Sequence, residues 1–155
     1  MDVDNAETLN IYAEKASNGR ILREEVLVKK LATGDYLLLA SPGIVLNLAK
    51  GDRFRVLDEC APVKVLRAGN ICVQFFSDGI IADAIQVIKK VVVEKLNGTV
   101  DGYTERSIVI TVSVELGFAK IESVVNELAN KYNLEWYYGN VYEMEDGVTP
   151  LNWWL

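Results

Sequence analysis

The residues able to do chemistry in this chain are carboxylates, lysines, tyrosines and two thiols, because its 155 residues include no histidine. Imidazole is the usual general base near neutral pH and the commonest metal ligand, so Ser-His-Asp and Cys-His catalysis and His-based zinc or iron sites are excluded within the chain. Lys, Glu, Asp and Tyr retain the capacity for acid-base work. No nucleophile-base pair is recognisable among them, and the chain is not expected to be an enzyme. Cys60 and Cys72 form no CxxC pair, and two thiols do not complete a structural zinc site. Cys72 falls inside an apolar run and reads as a small buried hydrophobe. No cofactor or metal is expected.

The carboxylates Asp52, Asp58, Glu59, Asp101, Glu105, Glu143, Glu145 and Asp146 fall in turns or at strand ends. Nothing in their spacing fixes the separation a hydrolase pair needs. Loops at one end of a sheet would instead gather several of them into an acidic patch that engages a basic protein. Tyr137 joins them as an interface candidate, since Trp136, Tyr137, Tyr138 and Tyr142 concentrate aromatic surface and aromatics dominate binding hot spots. Trp153-Trp154-Leu155 reads equally as a tail that folds back or as a contact patch. The formal net charge of −6 argues against nucleic acid as a direct ligand and fits a positively charged protein partner, although acidic surfaces also serve solubility alone.

Phe76-Ser77-Asp78-Gly79-Ile80-Ile81 reads as a strand-to-helix turn, similar to the turn of amino-acid-sensing regulatory modules of ferredoxin-like shape. A helix N-terminus favours anions, which gives an alternative function as a small-ligand-sensing module. A phosphate loop is excluded, because the Gly-Lys-Ser/Thr ending is missing.

The elements that must position these residues fall into an α+β arrangement. Asp4 and Glu7 have capping-box spacing, and Ala6, Leu9, Tyr12, Ala13 and Ala16 recur at helical intervals, which predicts a short N-terminal helix within residues 1–20. Short strands and turns over residues 21–68 predict a small antiparallel, partly barrel-like β half, with Gly51 supplying the positive φ of the Lys50-Gly51-Asp52 turn. Residues 69–145 follow the order strand, helix, strand, strand, helix, strand, the βαββαβ pattern of a ferredoxin-like half. Ser77 or Asp78 is expected to cap its first helix, and Glu127 and Lys131 to pair on its second. Residues 146–155 form a tail. Met1-Asp-Val-Asp-Asn-Ala-Glu-Thr lacks signal-peptide character and no apolar run reaches membrane-spanning length, so a soluble cytoplasmic protein is expected, as a monomer or weak homodimer.

From Glu25 through Glu143 the chain resembles a bacterial family known only as a domain of unknown function. Gly34, the Gly51-Asp52 turn, the Val73 to Phe76 strand and the Trp136 to Tyr138 strand carry the match. The chain departs from that pattern at Ser41-Pro42-Gly43, where an aromatic pair is expected. Proteins of this type are similar to the small acidic immunity proteins encoded beside bacterial contact-dependent toxins. The resemblance implies binding and neutralisation of one cognate toxin domain, expected to be a basic nuclease, by blocking its active site.

Overall fold

The computed structural model describes residues 5–155 and shows two antiparallel sheets and two helices. The first sheet contains β1 (Ala6–Lys15), β2 (Ile21–Lys30), β3 (Tyr36–Leu38), β4 (Arg53–Arg55) and β5 (Lys64–Leu66), hydrogen-bonded in that order. Its hydrogen bonding does not join β1 to β5, so the barrel-like half is not a closed barrel. The predicted N-terminal helix is absent, because residues 6–15 are strand β1, paired with β2 from Ala6↔Lys29 to Lys15↔Ile21. Asp4, its expected cap, lies outside the described residues.

The correction has a simple physical origin. Leu9, Ile11 and Ala13 alternate inward with period two, and Ile11 is 1% exposed, whereas the helical stripe leaves Ile11 outside and places Tyr12 in the core. Ser17-Asn18-Gly19, expected to end a helix, turns the hairpin instead. Phe54 on β4 is buried between exposed Arg53 and Arg55, as its alternation predicts, and it stacks on Tyr36. Gly51 has φ +93°, the left-handed conformation that the turn before β4 demands.

The second sheet contains β6 (Asn70–Phe76), β7 (Thr99–Tyr103), β8 (Ser107–Ser113) and β9 (Glu135–Tyr138) in the order β7-β8-β6-β9. With α1 (Ile85–Leu96) after β6 and α2 (Phe118–Tyr132) after β8, this is the ferredoxin-like arrangement that the element order implies. Ile71, Val73 and Phe75 of β6 and Ile108, Ile110 and Val112 of β8 pack with Ile88, Val92, Val125 and Leu128 of the helices. Left-handed Asn97 and Asn133 end the two helices. At Gly98 a Cβ would lie 2.6 Å from the Thr111 carbonyl oxygen, so only glycine permits the turn from α1 into β7.

Two local expectations fail. A short 3₁₀ turn over Ala82–Ala84 precedes α1, whose N-cap is Ala84, so neither Ser77 nor Asp78 caps it, and Ser77 Oγ accepts the Gly79 N–H instead. Glu127 pairs with Lys95 at 3.6 Å, bringing the helices together, while the Lys131 ammonium stands over the Tyr132 ring. Trp153 and Trp154 fold back onto the helix-side core, and Trp153 Nε1 donates to the Asn140 carbonyl at 2.7 Å. Among the described residues no helix is long and apolar enough to cross a membrane.

Both thiols are free, Cys60 exposed and Cys72 buried. Burial pushes the Cys72 thiol far above its ordinary pKa and keeps it protonated. In the native protein Cys60 alone is therefore expected to react with a maleimide, and Cys72 only on unfolding. Equal reaction of both thiols under native conditions would contradict this packing.

Candidate functional site

The connection between β3 and β4 positions the two halves against each other. Ser41-Pro42-Gly43, the point of departure from the family pattern, lies against the face of the second sheet opposite the helices. The Pro42 carbonyl accepts a hydrogen bond from Gln74 Nε2 at 2.9 Å, and Ala49 packs on Cys72 and Val109. The Asn47 N–H donates to the Gly139 carbonyl at 2.7 Å. From the other side Glu24 of β2 holds the loop, its carboxylate accepting the N–H groups of Gly43, Ile44 and Val45.

Asp52 and Asp101 belong to this internal joint, which corrects their expected place on a partner-facing surface. Asp52 is 0% exposed, with Ala49 N–H donating to Oδ2 and Ala68 N–H to Oδ1, each at 3.0 Å, and Arg67 Nη1 at 3.8 Å from Oδ2. Burial raises the Asp52 pKa, against the opposing pull of the two backbone donors and the Arg67 charge. The same burial lowers the pKa of Arg67, which Asp52 partly restores. Arg67 also donates to the Asn47 carbonyl and side-chain oxygens, and its guanidinium stands 5.6 Å from the Trp153 ring centroid.

Asp101 Oδ2 accepts the Ser41 N–H at 2.7 Å and the Thr111 hydroxyl. Because Thr111 gives its proton to Asp101, the Ser41 hydroxyl donates to Thr111 Oγ1 at 2.6 Å and accepts the Lys50 N–H at 2.9 Å. These bonds tie β8 and the edge strand β7 to the first sheet. They form a structural lock, in which each carboxylate oxygen is already occupied.

The remaining candidates separate into three places. Asp58 and Glu59 are exposed in the β4–β5 connection, near Arg23 and Arg55. Glu105 is exposed between β7 and β8, where its carbonyl accepts the Ile81 N–H. Asp146 is exposed and braces its own turn, accepting the Val148 and Thr149 N–H groups and the Thr149 hydroxyl, which lower its pKa. Glu143, Glu145 and Tyr137 do come together, at two adjoining depressions where the segment after β9 passes between the halves.

The first depression, of about 510 Å³, is lined by Tyr12, Glu14, Ile44, Leu46, Glu143 and Glu145 among others. The second, of about 350 Å³, shares Leu46, Glu143 and Met144 with it and continues along Glu122, Trp136, Tyr137, Tyr138 and Tyr142. No Lys or Arg lines either one. Among the described residues Glu14, Glu122, Glu143 and Glu145 make no ion pair. Tyr137 is 45% exposed and stacks on Phe76, whereas Trp136 and Tyr138 project to the helix side, as alternation requires.

Glu14 and Glu122 are absent from the sequence-based candidates. Glu14 lies in the segment misread as a helix, and Glu122 looks like any solvated residue of α2; no local signal marks either one. Among the described residues no group of three His, Cys, Asp or Glu side chains is placed to hold a metal ion.

A family model described as a domain of unknown function (DUF4265) matches residues 24–136. No curated protein matches the chain. The crystal structure of a hypothetical protein from Neisseria gonorrhoeae is similar over 87% of this chain and 93% of that one, with a TM-score of 0.59 and 15% sequence identity. At that identity the likeness is one of fold.

Proposed function

The chain belongs to the DUF4265 family of domains of unknown function, and from that premise we propose that it is an immunity protein, binding a basic toxin domain and blocking its active site. The observation that carries this reading is the groove formed by the two adjoining depressions, which among the described residues has four carboxylates without ion pairs on its walls and no cationic side chain. A nuclease must present a positive cleft to grip its substrate, and a groove of opposite sign is the complement of that cleft. The exposed rings of Tyr137 and Tyr142 supply apolar contact area beside the charges. The net charge of −6 adds long-range attraction to the local complement.

The ligand-sensing alternative rested on Ser77-Asp78-Gly79 opening a helix, and α1 opens at Ile85 with an uncapped Ala84 before it. The test is co-expression of this chain with the product of the reading frame beside its gene. If the proposal holds, that product arrests growth alone, this chain restores growth, and the two purified proteins associate. A neighbour without toxicity, or toxicity unrelieved by this chain, would overturn the reading.

A further inference from the structure

The second depression has the character of a cation cage. Trp136 and Tyr138 meet edge to face, with ring centroids 5.0 Å apart at 86°, and Tyr142 leans toward Tyr138 at 6.3 Å and 52°. Trp136 is held in orientation by its Nε1–H, which donates to Asn126 Oδ1 at 2.9 Å. Glu122 and Glu143 stand on the walls without ion-pair partners among the described residues. Rings present negative π-faces, so perpendicular rings beside carboxylates attract an organic cation from several directions.

An independent observation points the same way. Tyr138 is 7% exposed, and its hydroxyl, although close to the Glu122 carboxylate, makes no hydrogen bond of normal geometry. Leaving a buried hydroxyl unpaired costs on the order of 1–3 kcal/mol, which a ligand donor would recover. Tyr138 lines the depression together with Glu122 and Tyr142. Two rings elsewhere carry a cation of the chain, Arg67 over Trp153 and Lys131 over Tyr132, while among the described residues no such cation covers Trp136, Tyr138 or Tyr142. The volume, about 350 Å³, lies within the roughly 300–1,000 Å³ range of small-molecule sites.

We propose that the depression bounded by Trp136, Tyr138, Tyr142, Glu122 and Glu143 binds a single organic cation, an ammonium or guanidinium group. The group sits against the rings, with its charge balanced by the two carboxylates. Where it carries N–H bonds, it donates one to Tyr138 Oη. Such a cation comes either from a free small amine or from a Lys or Arg side chain of a protein, and the role of the Tyr138 hydroxyl separates the two. A quaternary ammonium uses only rings and charge, whereas a side-chain ammonium or guanidinium also uses the hydroxyl. The site does not require the immunity reading, because small cations test it without any toxin.

The experiment follows the Trp136 indole N–H resonance of the intact protein during titration with choline, with its neutral carbon isostere 3,3-dimethylbutan-1-ol, and with the blocked lysine Nα-acetyl-lysine methylamide. Saturable shifts with choline or the lysine derivative, and roughly tenfold weaker response to the neutral isostere, are expected. Tyr142→Ala and Glu143→Gln, at an exposed rim, should each weaken cation binding severalfold while leaving the rest of the spectrum unchanged. Tyr138→Phe should weaken the lysine derivative and spare choline. Tighter binding of choline identifies a free quaternary amine as the ligand source, and tighter binding of the lysine derivative identifies a protein side chain. Equal response to choline and its neutral isostere, or no saturable shift with either cation, would overturn the proposal.

Discussion

Asp52→Ala is expected to lower the stability of the folded protein by about 3 kcal/mol or more, the scale of breaking a buried charge pair by removing one partner. The carboxylate answers the Ala49 and Ala68 N–H groups at 3.0 Å and faces Arg67 at 3.8 Å from a position with 0% exposure. An alanine leaves the Ala49 N–H unsatisfied in the interior and Arg67, only 20% exposed at its side chain, without its counter-charge. Because these contacts join the turn before β4 to the connection leading into β6, the loss should loosen both halves together. Urea unfolding monitored by tryptophan fluorescence and by circular dichroism is the measurement. A change below about 1 kcal/mol would mean that the joint between the halves is held elsewhere.

Asp52→Asn keeps the shape and removes the charge, which exposes the sign of the linkage. Burial raises the folded pKa above the ordinary 3.8, so between those values the folded state binds more protons than the unfolded state. The proton-linked part of the Asp52 contribution is therefore fully present below pH 3.8 and is lost as pH rises through the raised pKa, while the bonds from the Ala49 and Ala68 N–H groups remain. The wild-type advantage over Asp52→Asn should shrink across that window and then level off. Asp146 has the opposite sign, since its folded pKa is lowered and its contribution fades as pH falls. Comparing the two Asp52 forms at each pH cancels the Asp146 contribution.

The ferredoxin-like half is legible from the amino-acid sequence because its periods are long and agree with one another. β6 is buried on both faces and interior in its sheet, and both helices carry continuous buried stripes. The first half is harder to read, because β3, β4 and β5 have three residues each, too few to establish a period. Ala6–Lys15 misleads because alanines satisfy helical spacing at no steric cost, while the deciding residue, Ile11, is noticed only once β2 lies beside it. Site prediction divides along a similar line. Asp52 and Asp101 look like solvated turn charges, and their burial arises from pairing between segments 16 to 60 residues apart in sequence. Glu143, Glu145 and Tyr137 share a groove with Glu14 and Glu122, which only the packing of β1 and α2 brings near.

That groove carries the largest functional effect expected under the proposed reading. The triple variant Glu14→Lys, Glu143→Lys and Glu145→Lys replaces the facing carboxylates of the larger depression by cations. Association steered by opposite charge reaches roughly 10⁸–10⁹ M⁻¹s⁻¹ at low salt, against about 10⁵–10⁶ M⁻¹s⁻¹ without steering. Reversal of three groove charges should therefore slow association with a basic toxin by about a hundredfold or more at low ionic strength. The difference should narrow as salt shortens the screening length to roughly 10 Å near 0.1 M. Net charge changes as well, since three reversals of two units each take −6 to zero, so a control of equal charge is needed. Asp58→Lys, Glu59→Lys and Glu105→Lys make the same change at exposed sites that line neither depression of the groove. Stopped-flow association of both variants across a salt series separates local from global effects. Strong slowing of the first variant alone places the partner's cleft on the groove. Equal slowing of both would reduce the groove's contribution to bulk charge, and slowing of neither would remove it from the interface.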